Sequence, residues 1–455
     1  MKKLLLLSLV LCGFVSKAQQ LYWEEKSTTF VTTSTSTPQI SYAGPDVVWT
    51  YGAAGDGSGD FYQIWGRSTD GGETWTSGNI DLGTADLAIG DIMAVSATTA
   101  YIAVFPNAAG VFGGVYRTVD SGATWQKQTS ASFNSGSDSF TDWVHFWDAN
   151  KGLAVGDPAP AGSTGYYEIY TTTDGGDNWT RVPSANIPAP LDGEYAYTHN
   201  YETNGDIIWF GTNKGRIYRS SDFGATWTVG QSPVGDFGSA TESASYSMKD
   251  ANNGILINNT HGFFRTTDGA ATWTEDVTPV GYFRNFDISY VPGVDNTYFT
   301  TGEDIDGIGR GSSFSTDDGA TWIDINDLDE LDVDGGGCLV FYDATHGLAS
   351  GFTASSVEGG IWKWIADASN LATSTFSADK AFSAALNQTS GVLTVNGKEI
   401  ANVTIYDMLG KQVASQNSAA ASSVEMNISS LNTGLYLVNV TNAQGNTSTI
   451  KVVKQ

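Results

Sequence analysis

The apolar residues of the chain come in short runs that alternate with polar residues at a period of two. Such runs lie at residues 217–219 and 435–440, bounded by Gly, Asn, Asp or Ser. Successive side chains of a strand point to opposite faces, so this alternation predicts half-buried β-strands separated by turns. Glycine accounts for 53 of the 455 residues, and charged residues for only 16%. This composition favours short strands and tight turns, and the chain is predicted to be all-β.

One eight-residue segment occurs six times between residues 68 and 322. Every copy begins with Ser or Thr, has Asp at its third position and ends in Trp. Its aspartates are Asp70, Asp120, Asp174, Asp222, Asp268 and Asp317, and its tryptophans are Trp75, Trp125, Trp179, Trp227, Trp273 and Trp322. The carboxylate can accept hydrogen bonds from turn N–H groups, and the Trp can pack back over the turn. Each copy therefore predicts a structural hairpin turn.

The fifth copy has Ala270 where the other copies have glycine. Glycine reaches positive φ angles without the steric penalty that a Cβ atom imposes. We therefore expect the turn at Ala270 to be strained or differently shaped.

The six aspartates are separated by 50, 54, 48, 46 and 49 residues. A repeat of about 50 residues with several strands per unit is typical of β-propellers. The copies resemble the Asp-box, or BNR, repeat of sialidases and other secreted β-propellers. This resemblance implies that the boxes lie at the periphery of the blades, away from the axis where such proteins bind ligands.

Six boxes predict six blades, and the strand runs between residues 339 and 364 predict a seventh blade that lacks a box. This last unit has three candidate strands. Its fourth strand is predicted at residues 21–30, where Trp23 takes the place of a box tryptophan. Pairing the N-terminal strand with the last blade closes the ring and removes exposed sheet edges. The prediction is a seven-bladed propeller over residues 19–365.

A second motif, strand, Asp-x-x-x-Gly and strand, occurs at Asp148, Asp250 and Asp343. It predicts the hairpin that joins the two innermost strands of a blade. Together with the boxes, it resembles the propellers related to photosystem II assembly factors. The resemblance implies a scaffold without chemistry of its own and gives Asp148 and His346 structural roles.

The two ends of the chain indicate export. Residues 1–18 combine a charged start, a short apolar run and a small-x-small site, which is the pattern of a cleaved signal peptide. Acidic residues dominate the middle of the chain but are balanced by lysine after residue 377. This step, together with the Ala, Ser and Thr of residues 366–380, predicts a linker before a separate domain at residues 381–455.

The last domain has strand runs with characteristic sequences. Residues 403–411, 428–438 and 450–454 resemble the C-terminal sorting domain of type IX secretion cargo. The resemblance implies a small β-sandwich that engages the type IX secretion machinery. It also implies that the protein is secreted or lies on the outer-membrane surface of a Gram-negative bacterium. The usual Pro-Asn-Pro near the domain start is absent, and Ala-Leu-Asn-Gln stands at residues 385–388, which leaves the boundary open.

The net charge, the cysteine content and the hydropathy of the chain limit the kinds of partner and covalent link that we expect. The net charge is −27, and binding to nucleic acid needs clustered Lys and Arg. Once Cys12 leaves with the signal peptide, Cys338 is alone, so no disulfide forms within the chain. No stretch of the mature sequence approaches the ~20 apolar residues of a transmembrane helix. We expect a monomer whose partners are the secretion machinery and an extracellular glycan or protein.

Any ligand is expected at the axial mouth, where loops that lead into the innermost strands converge. The candidate ligand-binding residues in these loops are Asp142, Trp143, Glu194, Tyr195, Tyr197, His199 and Arg284. Their aromatic rings can stack on sugars, and their polar groups can hydrogen-bond hydroxyls. This combination suits a sugar better than a phosphate.

Two classes of function remain open. The chain has eight arginines, four of which directly precede boxes, so the arginine triad of a sialidase is not evident. We interpret the protein as a ligand-binding or scaffold module. The alternative is a glycoside hydrolase or lyase that uses two carboxylates. Its candidate acids include Asp157, Glu242 and Asp287, but spacing alone assigns no catalytic residue.

No cofactor is predicted. Residues 56–60 and 304–307 have alternating oxygen donors that suit Ca²⁺, but neither completes the twelve-residue calcium loop with its closing Glu. The four histidines lack the spacing of zinc ligands. Calcium is therefore the one metal that the sequence leaves open.

Overall fold

The computed structural model describes residues 22–134, 139–160, 165–281, 283–303, 310–325, 338–371, 382–387, 390–407, 411–443 and 447–454. These residues form two compact units that divide between Ser369 and Asn370, within the stretch predicted as a linker. The predicted signal peptide and residues 372–380 of the linker lie outside the described residues. The predicted extents of these two segments stay predictions.

Unit 1 is built from short antiparallel strands. Its first half contains β1 (Trp23–Ser27), β2 (Thr35–Ser36), β3 (Ile40–Tyr42), β4 (Val48–Tyr51), β5 (Ala53–Ala54), β6 (Ile64–Ser68), β7 (Thr76–Asn79), β8 (Leu87–Ala94), β9 (Ala100–Pro106), β10 (Gly114–Thr118), β11 (Gln126–Lys127), β12 (Thr141–Phe146), β13 (Gly152–Ala159), β14 (Tyr166–Thr172) and β15 (Thr180–Arg181). Its second half contains β16 (Ala196–Asn204), β17 (Ile207–Thr212), β18 (Arg216–Ser220), β19 (Thr228–Gln231), β20 (Ala244–Met248), β21 (Gly254–Asn258), β22 (Phe263–Thr266), β23 (Thr274–Glu275), β24 (Asp287–Tyr290), β25 (Tyr298–Glu303), β26 (Arg310–Ser315), β27 (Ile323–Asp324), β28 (Leu339–Phe341), β29 (Gly347–Ser355) and β30 (Glu358–Trp364). Two 3₁₀ helices lie at Ser184–Asn186 and Ala368–Asn370.

In the described part of unit 1, these strands form seven sheets. Six are four-stranded, with the orders β3-β4-β6-β7, β8-β9-β10-β11, β12-β13-β14-β15, β16-β17-β18-β19, β20-β21-β22-β23 and β24-β25-β26-β27. The seventh joins β28, β29 and β30 to β1, and β2 and β5 extend it. The first strands of successive sheets lie side by side, and β29 of the last sheet contacts β3 of the first. Unit 1 is therefore a β-propeller, and its seven sheets correspond to the seven predicted blades.

The N-terminal strand closes the ring. β1 pairs antiparallel with β30, with Trp23 opposite Trp364. This confirms that the predicted N-terminal segment supplies the outer strand of the last blade, over Trp23–Ser27. Lys26 and Lys363 of this blade both bind Glu73 of the first blade, at 2.7 and 2.6 Å. The seam therefore combines strand pairing with a shared ion pair.

Short polar side chains of the inner strands connect neighbouring blades. Asp91 Oδ2 accepts a hydrogen bond from the Val144 N–H of the next blade at 3.0 Å. Asp287 Oδ2 accepts one from the Leu339 N–H at 2.7 Å. These N–H groups face the neighbouring blade rather than a paired strand, so a side-chain acceptor satisfies them away from water.

The six repeat turns share one set of hydrogen bonds. In the fourth copy, Asp222 Oδ1 accepts from the Thr226 N–H and from the Ser220 hydroxyl, both at 2.8 Å. Asp222 Oδ2 accepts from the Thr226 hydroxyl, and Ser220 Oγ accepts from the Gly224 N–H. The same contact from the residue four places on recurs at Asp70, Asp120, Asp174, Asp268 and Asp317. The carboxylates are thus used within their own turns, as the sequence predicts.

Two consecutive residues with positive φ shape each turn. In the fourth copy they are Phe223 and Gly224, at +58° and +82°. In the fifth copy Gly269 and Ala270 take +73° and +71°, and the Ala270 N–H still donates to Thr266 Oγ1 at 3.0 Å. The sequence predicts that the turn at Ala270 is either strained or differently shaped. The turn keeps the shape of the other turns and is therefore strained.

The box tryptophans pack over these turns at the third and fourth strands of each blade. Trp75, Trp179, Trp227 and Trp322 are buried, whereas Trp125 and Trp273 are half-buried. The Trp227 indole N–H donates to the Gly224 carbonyl at 2.9 Å. The boxes are therefore separated from the inner wall by at least one strand.

The Asp-x-x-x-Gly turns join the first two strands of three blades. Asp148 Oδ1 accepts hydrogen bonds from the N–H groups of Asn150 and Lys151, both at 2.7 Å. Asp250 and Asp343 make the equivalent contacts two and three residues on. These aspartates stabilise tight hairpins, in agreement with the sequence interpretation.

Unit 2 is a small antiparallel β-structure. It contains β31 (Phe382–Asn387), β32 (Val392–Asp407), β33 (Gln412–Asn427), β34 (Gly434–Asn442) and β35 (Thr447–Lys454). The order is β31-β32-β34-β35, and β33 also pairs with β32. Register shifts along β32 bend the long strands. They fold, like a sandwich, around buried residues such as Leu393, Val403, Ile405 and Val438.

Candidate functional site

The inner wall of unit 1 encloses a cavity on the propeller axis. This axial cavity has a volume of about 720 Å³ and is lined by β16, β20, β24, β28 and the start of β3. A second cavity, of about 540 Å³, adjoins it where these strands begin. We call it the mouth cavity, and His199, Asn200 and Asp287 line both cavities. The mouth cavity lies on the side where loops lead into the innermost strands.

His199 occupies a strained bulge between the two cavities. The pairing of β16 with β17 shifts between Ala196 and Tyr201, and His199 has φ +52°. Such strain in a non-glycine residue is typical of functional sites. Burial lowers the pKa of His199 to about 4, so its ring is neutral at pH 7. Its buried Nδ1 has no hydrogen-bond partner among the described residues.

The carboxyl groups of Glu202 and Asp287 line the axial cavity, and the exposed Asp295 also contributes to its lining. Burial raises the pKa of Glu202 to about 8, and the charge of Asp287 contributes to this shift. Burial also raises the pKa of Asp287, to about 6. At pH 7 Glu202 is therefore mostly protonated, whereas Asp287 is mostly ionised.

Asp287 is fully engaged by the wall that carries it. Its Oδ1 accepts hydrogen bonds from the Ile288 N–H and the Ser245 hydroxyl. Its Oδ2 accepts from the Leu339 N–H of the next blade. Asp287 therefore acts as a structural link between three blades, and Glu202 is the more available acid of the pair.

The remaining lining of the axial cavity includes a thiol, a phenol and a lysine that is paired within the protein. Cys338 lines it, and burial raises the pKa of the thiol, which stays protonated. Tyr246 also lines it and is only 3% exposed, and its hydroxyl has no hydrogen-bond partner among the described residues. Lys249 is the one basic side chain of the described lining, and its amine donates to Asp318 at 2.5 Å.

An aromatic edge borders the mouth cavity. Tyr197 lines the cavity, and its hydroxyl donates to Asp236 at 2.6 Å. The Tyr195 ring meets Tyr197 edge-on, with centroids 5.4 Å apart, and is 41% exposed. Phe286 also lines the cavity and is exposed. Of the predicted ligand-binding residues, Tyr197 and His199 thus line a cavity and Tyr195 lies beside one.

Asp142 and Trp143 do not reach the mouth cavity. Trp143 is 0% exposed and stacks on Tyr201 at 4.6 Å. Asp142 is also buried, and burial together with the charge of Asp157 raises its pKa. A register shift between Thr141 and Trp143 interrupts the alternation of β12, so both side chains turn into the wall. Both residues are buried, and their role as ligand contacts stays a prediction.

Glu194 and Arg284 are held in ion pairs within the protein. Glu194 accepts hydrogen bonds from Arg216 Nη1 at 3.0 Å and from the Leu191 N–H at 2.7 Å. Arg284 is 2% exposed, and its Nη2 donates to both carboxylate oxygens of Asp324. These buried charges are thus neutralised by protein partners, and their contact with a ligand stays a prediction.

Sequence reasoning missed Glu202, Asn200 and Tyr246. If the side chains of β16 alternated strictly from Tyr197 onward, every second residue would face the cavity. The bulge at His199 changes which residues face it. The sequence carries no recognisable sign of that bulge. Asp287 stood among the acids considered, but its partners come from separate blades and cannot be assigned from local sequence.

Within the described residues, no group of three or more His, Cys, Asp or Glu side chains is arranged to hold a metal ion. One calcium candidate, at residues 304–307, lies outside the described residues. In the other, the Ser58 N–H donates to Asp56 Oδ1, and the Asp60 N–H donates to Ser58 Oγ. That segment is therefore a turn closed by its own hydrogen bonds.

These features define a β-propeller with an axial cavity, followed by a small β-domain. Residues 387–455 match the family model of the secretion system C-terminal sorting domain. Unit 2 therefore carries a type IX sorting domain, and the protein is exported to the cell surface or secreted. Across the part of the chain that is described, no helix is long and apolar enough to cross a membrane.

Solved structures of propellers are similar to this chain. A structure of YCF48 bound to D1 peptide is 16% identical, with a TM-score of 0.50 over 76% of this chain and 98% of that one. YCF48 from Cyanidioschyzon merolae is 16% identical, with a TM-score of 0.47 over 76% and 99%. A mutant Trypanosoma rangeli sialidase displaying trans-sialidase activity is 12% identical, with a TM-score of 0.41 over 94% and 87%. The first similarity supports the fold, and no curated protein matches the sequence.

Proposed function

We propose that the exported protein is a ligand-binding propeller that holds an extracellular glycan in its mouth cavity. The observation that carries this proposal is the cavity itself, a concavity of about 540 Å³ to which several blades contribute. Concave sites where several elements converge, with a few polar groups on the wall, are the usual places of ligand binding.

The lining of the mouth cavity suits a polyhydroxylated ligand. Tyr197 and Phe286 offer aromatic surface against which a sugar ring can pack. Asn200, Ser239 and Ser243 add amide and hydroxyl groups that can both donate and accept hydrogen bonds. Its described lining contains no Lys or Arg, which disfavours a phosphorylated or sulfated ligand.

A peptide is the competing ligand for the same cavity. The similar YCF48 structure contains a bound D1 peptide, and an extended peptide also needs aromatic contacts and hydrogen-bonding groups. A binding experiment that includes both classes therefore decides between them.

Hydrolysis of a glycan is a second candidate, and it rests on Glu202 and Asp287. Two carboxyl groups with pKa values of about 8 and about 6 could divide the acid and base roles of a glycosidase. However, both oxygens of Asp287 accept hydrogen bonds from the wall. Such a carboxylate is poorly placed to attack a sugar or to activate a water, so binding without turnover is the better supported function.

The test is a glycan array and a peptide array probed with the purified protein. We expect glycan binding that Tyr197→Ala weakens at least tenfold without a change in melting temperature. Phe112→Ala, which removes a 40% exposed ring outside both cavities, is the matched control and should bind normally. Binding to peptides alone would contradict the glycan proposal. Reducing-sugar release that Glu202→Gln abolishes would instead establish the second candidate.

A further inference from the structure

The axial cavity carries acidic groups that its own walls do not neutralise. Glu202 and Asp287 line it, and the nearby Asp91 is fully buried, with one carboxyl oxygen unpartnered among the described residues. Cys338 lines the same cavity, and burial, followed by the charges of Asp287, Glu202 and Asp91, raises the pKa of its thiol. The amine of Lys249, the one basic group of the described lining, is bound to Asp318.

An unpartnered polar group points to a ligand at the same place. Tyr246 is only 3% exposed, and its hydroxyl is buried without a hydrogen-bond partner among the described residues. Burial raises the pKa of this phenol well above its usual value, and the charge of Glu202 adds to the shift. Tyr246 and Glu202 line the same cavity, and a phenol hydroxyl can accept a hydrogen bond. A buried polar group without a hydrogen-bond partner is energetically unfavourable.

We propose that the axial cavity receives a protonated amine of the bound ligand, held by Glu202 with the help of Asp287 and the Tyr246 hydroxyl. This inference rests on the proposed function and names its ligand class, a glycan that contains an amino sugar. An ammonium group has three donors and no acceptor, which fits a site made of two carboxyl groups and one hydroxyl oxygen.

The electrostatics of the axial cavity favour a protonated amine. Removing a carboxylate from water penalises its charged form, and a nearby cation reverses that penalty. The one lysine of the described lining, Lys249, is bound to Asp318, so an added ammonium group would favour the ionised form of Glu202 and Asp287. A phosphate or carboxylate would meet the opposite effect. The axial cavity would thus discriminate between ligands by their charge, whereas the aromatic edge of the mouth cavity would discriminate by their shape.

The decisive experiment compares ligands that differ only in the amine. Isothermal titration calorimetry at pH 6.5 would use a β-1,4-linked glucosamine tetramer and its N-acetylated form. We expect the free-amine tetramer to bind at least tenfold more tightly. Glu202→Gln should reduce this preference below threefold, whereas Glu275→Gln, the same substitution at an exposed site of β23, should preserve it. A lysine-containing peptide and its acetyl-lysine form make a second pair, which shows whether the amine belongs to a protein instead.

Each outcome decides between the two proposals. A preference for the amine in the peptide pair alone supports the cation site but refutes a glycan ligand. Equal affinity within both pairs, or a preference that survives Glu202→Gln, overturns the cation site. If the acetylated tetramer then still binds in a Tyr197-dependent way, the mouth cavity remains a glycan site. Absence of any glycan or peptide binding overturns both proposals.

Discussion

The Trp23 ring lies against the Trp364 ring at the seam of the propeller, with centroids 5.3 Å apart and planes at 68°. Trp23 also donates its indole N–H to Ser312 Oγ of the sixth blade at 3.0 Å. One side chain of the N-terminal strand therefore contacts the last two blades at once. Because pairing of the N-terminal strand with the last blade closes the ring, we expect this contact to contribute strongly to the stability of the propeller.

Trp23→Ala should lower the free energy of unfolding by about 3–5 kcal/mol, the usual effect of emptying a large buried aromatic site. Trp23 is 1% exposed, and Phe299 and Phe341 pack against it. Urea denaturation followed by Trp fluorescence measures the change. Val31→Ala, at a side chain 83% exposed, should have little effect. A loss below 1 kcal/mol for Trp23→Ala would contradict the closure described here.

Ala270→Gly should stabilise the propeller by about 0.5–1 kcal/mol. Ala270 holds φ +71°, a conformation in which an L-residue pays a steric penalty that glycine avoids. The larger conformational freedom of glycine in the unfolded chain offsets part of this gain. Thermal melts of both proteins test the expectation. Ala271→Gly, in the same turn but without a positive φ, should be neutral or destabilising, and equal effects of both substitutions would refute the explanation.

The stability of unit 1 should fall as the pH rises from 5.5 to 8.5. In the folded protein, burial raises the pKa of Asp91 and Asp157 to about 7 and that of Glu202 to about 8. The unfolded chain has values of about 4 for such groups. Between these limits the folded protein binds more protons, so its stabilisation is complete below about pH 4 and is lost as the pH rises through 7–8. Urea midpoints at pH 5.5 and 8.5 measure the difference.

Glu202→Gln provides the control for this pH dependence. It removes one buried carboxyl group, so its urea midpoint should change less between the two pH values than that of the parent protein. Glu275→Gln removes an exposed carboxylate of β23 and should leave the difference intact. Parallel curves for the parent and Glu202→Gln would show that the pKa of Glu202 is not raised.

The sorting domain should be required for export but not for folding of the propeller. Residues 387–455 match the sorting family, and unit 1 forms a compact body of its own. Removal of residues 378–455 should therefore leave a folded propeller in the periplasm, detected by fractionation and resistance to limited proteolysis. Normal surface display of the shortened protein would contradict this role.

Local chemistry made much of the fold predictable. The box at Asp222 encodes its own turn, because the carboxylate acceptor, the donors and the positive φ position all lie within seven residues. The closing strand could be predicted for a different reason. Trp23 and the box-less last repeat are complementary parts of one blade, so a count of strands was sufficient to pair them.

The site was less predictable because it depends on register and on contacts between blades. Bulges at Thr141 and at His199 decide which side chains enter the wall and which enter the cavity. Arg284 resembles a ligand-binding arginine in the sequence, but the fold brings Asp324 of β27 to it, 40 residues further along the chain. Glu202 acquires its properties from burial by other blades. Such features arise only from the assembled ring.

The most direct test of the central claim fills the mouth cavity and measures binding. Ser243 lines this cavity and is half-buried, so Ser243→Trp places a large ring where the ligand is expected. The matched control, Asn79→Trp, places the same ring in an outer groove beside Phe61 and Ile80. With the glycan identified on the array, calorimetry should show at least a hundredfold loss of affinity for Ser243→Trp and an unchanged affinity for Asn79→Trp, at equal melting temperatures. Unchanged binding by Ser243→Trp, with loss by Asn79→Trp, would place the ligand outside the axial mouth and contradict this account.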